Sequence, residues 1–99
     1  MSLQFIGETP VYFPQRQAVK TSALAGDTII ECYAARDALQ AMGCAPEDDA
    51  MTIIRKFEAR RLDFEIAALV KYRRSLQPAS VVTVTAADLA VVIGTPAAA

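Results

Sequence analysis

Arg61 and Glu65 stand at i and i+4 within "EARRLDFEIAALVKYRR", residues 58–74, and are the first residues whose types and spacing could do chemistry. A carboxylate beside a guanidinium can hold a small charged ligand or move a proton. General acid or base work by Glu65 would need its proton affinity raised by burial, whereas a neighbouring arginine lowers it. The 99 residues contain no histidine, and no serine nucleophile or metal set completes a constellation around the pair. An ion pair in the base-before-acid order is the simpler reading. If it is partly buried, its role is to fix geometry, and losing one partner would strand a charge.

Two other groups invite chemistry. Glu47, Asp48 and Asp49 form an acidic cluster, but a hard-cation site needs ligands converging from a loop with a glycine turn, which is missing. Directly after Pro46, the acids suit the first turn of a helix, where unpaired amides and the dipole favour negative charge. Cys32 and Cys44 have neither CxxC spacing nor a histidine partner, so reduced thiols are expected rather than a zinc site or disulfide. Neither a catalytic residue, a metal nor a cofactor is expected, and the chain reads as a non-enzyme.

The elements that must position these residues follow from punctuation and periodicity. Gly7, Pro10, Pro14 and Gly26 confine the first 26 residues to short pieces. Val11–Phe13, Ala18–Leu24 and Thr28–Tyr33 read as three short strands in an antiparallel meander, the last two joined by a tight turn at "AGD". A short helix over 35–42 ends at Gly43 as its C′ residue. One long helix is expected from about residue 48 to 75, stopped by Pro78. "SVVTVT" offers a C-terminal strand over 80–85. A turn or single helical turn should follow at Ala86–Leu89, then a short edge strand at Val91–Ile93 and a frayed tail over 94–99. The fold class is α+β: a meander, a short helix, a long helix packed on one face of the sheet, and a C-terminal strand. A chain of 99 residues holds one such domain.

On a helical projection at about 100° per residue, Ala50, Ile53, Ile54, Phe57, Phe64, Ala68 and Tyr72 share a stripe that should lie on the sheet. Arg61 and Glu65 fall inside or beside it, away from the polar side. Met51, Leu62, Ile66 and Leu69 form a second apolar line, and Lys56, Arg60, Asp63, Lys71 and Arg74 occupy the remaining face. Arg73 points towards the second line. A helix apolar on two sides needs two things to bury against, and a homodimer through the second line is the economical solution. The competing arrangement covers that line with helix 35–42 and the C-terminal strand.

Net charge is −1, which argues against broad attraction to nucleic acid or anionic membrane. The distribution is uneven: residues 27–49 carry six acids against Arg36, and residues 55–74 carry seven bases against three acids. Such neighbouring blocks can neutralise each other within a fold or across a dimer. The amino terminus lacks a basic region followed by an apolar run, and no stretch approaches the ~20 apolar residues of a membrane span. A cytoplasmic protein without a membrane partner is expected. Hydrophobic residues make up 54% of the chain against 21% charged, a ratio that suits a covered partner surface.

The order "YFP", "AVKTSAL-AGDTIIECYAARDAL", then F-x-x-x-R-x-D-F-E at Phe57, Arg61, Asp63, Phe64 and Glu65, with Ala68 and "KY" at 71–72, resembles the small bacterial proteins grouped as DUF1488. The likeness spans roughly residues 10–75. Val11 and Tyr12 stand where the family often has tryptophan. The resemblance implies a compact α+β domain with a curled antiparallel sheet and helices on one face. It implies no assigned activity and supplies no catalytic residues, but it singles out Arg61 and Glu65. Three functions remain in play: a homodimeric interaction domain; a nucleic-acid-binding regulator using Lys56, Arg60, Lys71 and Arg74; and a ligand binder or enzyme around Arg61 and Glu65.

Overall fold

The computed structural model describes residues 3–7, 9–74 and 80–93. Five strands and four helices follow in the order β1 (Gln4–Phe5), β2 (Val11–Phe13), β3 (Ala18–Ala25), β4 (Thr28–Ala34), α1 (Arg36–Ala41), α2 (Ala50–Ala59), α3 (Arg61–Arg74), β5 (Val81–Val84) and α4 (Ala86–Ile93). The class is α+β, as the sequence indicates. The three strands of the meander form where expected, and β3 pairs antiparallel with β2, with β4 and with the short β1. Ala25 opposes Thr28 across a two-residue loop. Gly26 takes φ +64° there, a left-handed position that glycine fills without a Cβ clash.

The C-terminal strand pairs within the chain: β5 lies parallel to β4, with Cys32 opposite Val82 and Ala34 opposite Val84. Parallel neighbours need a long crossover, and the three helices α1 to α3 supply it. The sheet residues of the core alternate along each strand and share one face, among them Val19, Ala23, Ile30, Cys32, Ala34, Val82 and Val84, and they pack with Leu39, Phe57, Phe64, Ala68 and Leu89 from the helices. The molecule is therefore two layers, helices over one sheet face. The other face carries Lys20, Glu31 and Tyr33, with Arg16 over the Tyr33 ring at 4.8 Å.

The long helix differs from expectation. It is two helices, broken at Arg60, whose φ of −118° and ψ of 19° interrupt the ladder. The Arg60 amide turns back to the Phe57 carbonyl at 3.0 Å, while its own carbonyl accepts from Phe64 at 3.2 Å and so opens α3. No proline or glycine marks the break, the usual local signals of a kink. The expected stop at Pro78 lies outside the described residues, as does the tail over 94–99.

The edge strand expected at Val91–Ile93 is instead the end of α4. Its start is a reciprocal cap: the Asp88 carboxylate accepts from the Thr85 amide at 2.8 Å, and the Thr85 hydroxyl accepts from the Asp88 amide at 3.4 Å. Thr85 and Asp88 thus form a capping box, a sequence signal that outweighs the β-branched residues beyond it. At the other acidic cluster the helix starts later than expected, so that Glu47 and Asp48 precede it and no acid lies in its first turn. Asp49 is the N-cap of α2 and accepts from the Thr52 amide at 2.8 Å.

A candidate site at the helix break

Arg61 is the first residue of α3, and the break at Arg60 aims its side chain at the sheet. Its Nε donates to Glu65 Oε2 at 3.0 Å, its Nη1 to Glu58 Oε1 at 3.2 Å and its Nη2 to Thr21 Oγ1 at 3.1 Å. The side chain is only 15% exposed, and Glu65 is 24% exposed. Thr21 is fully buried on β3, directly opposite Cys32 of β4. One guanidinium therefore ties the end of α2, the start of α3 and the middle of the sheet. The ion pair with Glu65 is present, and Glu58 and Thr21 are members that the helical projection did not identify. Thr21 could have been noticed as a hydroxyl in the middle of the apolar strand "AVKTSALA".

The thiol of Cys32 completes this cluster electrostatically. Burial, with a further contribution from the Glu65 carboxylate, pushes it up to about 11. A thiol held protonated is a poor nucleophile. Cys44 is also free and its thiol is raised by partial burial, although the Lys56 ammonium opposes the effect. It lines a cavity of about 90 Å³ together with Tyr12, Arg36, Leu39, Pro46 and Ile53. Among the described residues there is no group of three metal-ligating side chains.

The four bases considered for polyanion contact do not form one free stripe. Lys56 bonds Asp48 at 2.7 Å and the Gly43 carbonyl at 2.9 Å. Lys71 bonds Asp88 at 2.9 Å and the Thr83 carbonyl at 2.6 Å, tying α3 to α4 and β5. Arg60 and Arg74 are exposed. The Lys56–Asp48 pair joins the acidic block to the basic block inside one chain, as uneven neighbouring charge allows. It also lowers the Asp48 carboxyl below its ordinary range, with help from the Ala45 amide.

The second apolar line is divided by the helix break. Met51 sits on α2, 68% exposed, whereas Leu62 and Ile66 on α3 are 68% and 40% exposed. Leu69 packs partly against the core. The arrangement in which helix 35–42 and the C-terminal strand cover this line thus leaves Leu62 and Ile66 exposed. The main stripe behaves as expected at Ile53, Phe57, Phe64, Ala68 and Tyr72, which are buried, but Ala50 is exposed.

A family model described as "Protein of unknown function (DUF1488)" matches residues 3–80. The chain belongs to the DUF1488 family. The match extends past the 10–75 stretch on which the resemblance rests and includes β1 and the break. A crystal structure of a DUF1488 protein of unknown function from Shewanella loihica PV-4 is similar at 22% identity, with a TM-score of 0.66, covering 84% of this chain and 91% of that one. At that identity the likeness shows a shared fold. No curated protein matches the chain. Among the described residues, no helix of this DUF1488 member is long and apolar enough to cross a membrane.

Proposed function

We propose that this chain is a small non-catalytic interaction domain of the cytoplasm that acts as a homodimer through α3. The observation that carries the reading is the exposure of Leu62 and Ile66, two large aliphatic side chains on one helix, at 68% and 40%. Covering each completely is worth roughly 1.5–3 kcal/mol, far more than surface ion pairs contribute. Arg61 supports a structural rather than catalytic role, because its donors engage Glu58, Glu65 and Thr21. The engagement of Lys56 and Lys71 in ion pairs weighs against polyanion binding through that face.

Sedimentation velocity tests the reading directly. The wild-type chain is expected to sediment as a dimer at tens of micromolar, and Leu62→Asp as a folded monomer. A wild-type monomer under those conditions would overturn it.

A further inference from the structure

We propose that the second copy packs its α3 antiparallel to the first, across a two-fold axis near Ile66 and Leu69, with Asp63 of each copy facing Arg74 of the other. This deepens the homodimer reading and rests on it. The starting point is the orientation of α3. At about 100° per residue, Leu62, Ile66, Leu69 and Arg73 fall roughly 140–200° around the helix from Phe64. Phe64 is fully buried in the core. Three apolar residues therefore share the outward pole of α3 with the single base Arg73, where a two-layer domain ordinarily places charge throughout.

The spacing 62, 66, 69, 73 is the 4-3-4 alternation of a helix–helix seam. The charges beside it are arranged end to end: Asp63 is in the first turn, and Lys71, Arg73 and Arg74 are in the last. Asp63 and Arg74 share one flank of the seam, at roughly 260° and 280° on the same projection. Among the described residues neither has an ion-pair partner within its own chain, in contrast to Lys56, Arg61 and Lys71. Nor can they reach each other, since eleven residues of helix separate them by about 16 Å.

An antiparallel pair resolves both features at once. Ile66 of one copy meets Leu69 of the other, and each Leu62 lies under the aliphatic stem of the other copy's Arg73. Asp63 meets Arg74 at both ends, as a two-fold interface requires. A parallel two-fold pair would instead place the two copies' Asp63 and Arg74 on opposite flanks of the seam and leave all four without a partner. The surface is thus self-complementary in charge in one direction only, and this commits the occupant to a second copy of the chain.

Charge reversal on the full chain tests the direction. Sedimentation equilibrium at low salt is expected to show dimer affinity falling about tenfold in Asp63→Lys and in Arg74→Glu, and recovering in the double variant. Circular dichroism checks that all three fold. A double variant weaker than either single one overturns the antiparallel pairing while leaving the homodimer intact. A dimer indifferent to Leu62→Asp and Ile66→Asp overturns the surface itself, and a monomeric wild type overturns the reading on which both rest.

Discussion

Arg61 and Thr21, forty residues apart in sequence, meet at 3.1 Å through Nη2 and Oγ1, where the break between α2 and α3 lies against the middle of the sheet. The same guanidinium holds Glu58 and Glu65, so its loss would leave two carboxylates and a fully buried hydroxyl short of a donor. Arg61→Ala is expected to lower unfolding free energy by about 2–4 kcal/mol, below the cost of a fully buried pair because the site keeps some solvent contact. Arg61→Lys should recover little, since an ammonium cannot fork to three acceptors. Arg60→Ala, one residue earlier and exposed, should stay within about 0.5 kcal/mol. Urea denaturation of the three variants decides the matter. Equal, small losses at both positions would reject the tie to the sheet.

Much of this geometry was legible in the sequence for physical reasons. Gly26 and the β-branched strands set the β3–β4 hairpin. Gly43, at φ +98°, closes α1 in a conformation that other residues strain to adopt. Helical phase alone places Arg61 beside the core and Arg60 in solvent, and the structure keeps both placements although the chain bends between α2 and α3. The break itself was not legible. It has no glycine or proline, and its ties to Thr21 and to the facing phenylalanines are tertiary. The parallel β5 was hidden for a similar reason, since strand direction depends on the whole crossover. Of α4 only a turn or single helical turn over Ala86–Leu89 is expected, because Val91–Ile93 is β-branched, although the Thr85–Asp88 box is a local signal for a helix start.

Three carboxylates link the fold to pH. Asp48 is lowered by Lys56 and the Ala45 amide, and Asp49 by Thr52. Burial pushes Asp88 upwards, but the Thr85 amide and Lys71 outweigh it and leave the carboxyl lowered. A carboxyl lowered on folding contributes stability above its unfolded value, about pH 4, and that contribution is lost as pH falls through the folded value. The denaturation midpoint is therefore expected to drop below pH 4, with protons taken up on unfolding. Asp88→Asn should flatten this acid limb. Lys56 runs the other way: raised by Asp48, it contributes below its unfolded value and loses the contribution only in strong alkali. A midpoint unchanged between pH 7 and pH 3 would contradict the carboxylate assignments.

The two cysteines should separate cleanly by reactivity. Cys32 has no exposed surface and a thiol pushed up to about 11, so an aromatic disulfide reagent at pH 8 cannot reach a thiolate there. Cys44 is partly exposed beside the cavity. In the native protein one thiol is expected to react, more slowly than free cysteine, and the second only in denaturant. Cys44→Ser should abolish the native reaction. Rapid modification of both thiols without denaturant would mean that the sheet opens far more readily than its packing indicates.

Phe57 and Phe64 report on the bend between α2 and α3. Their ring centroids lie 5.0 Å apart, edge to face, and both side chains are fully buried. Seven residues of straight helix rise about 10.5 Å, so the rings converge because the chain turns at Arg60. Edge-to-face contact adds about 0.5–1.5 kcal/mol beyond the area each ring buries. Alanine at both positions would remove much of a small domain's stability, about 5–15 kcal/mol, so leucine is the better probe. Phe57→Leu and Phe64→Leu should each cost about 1–3 kcal/mol. The double variant should lose less than the sum by about 0.5–1.5 kcal/mol, the signature of a direct contact in a double-mutant cycle. Additive losses, within about 0.3 kcal/mol, would mean that the rings act independently and that the helix runs straight through Arg60.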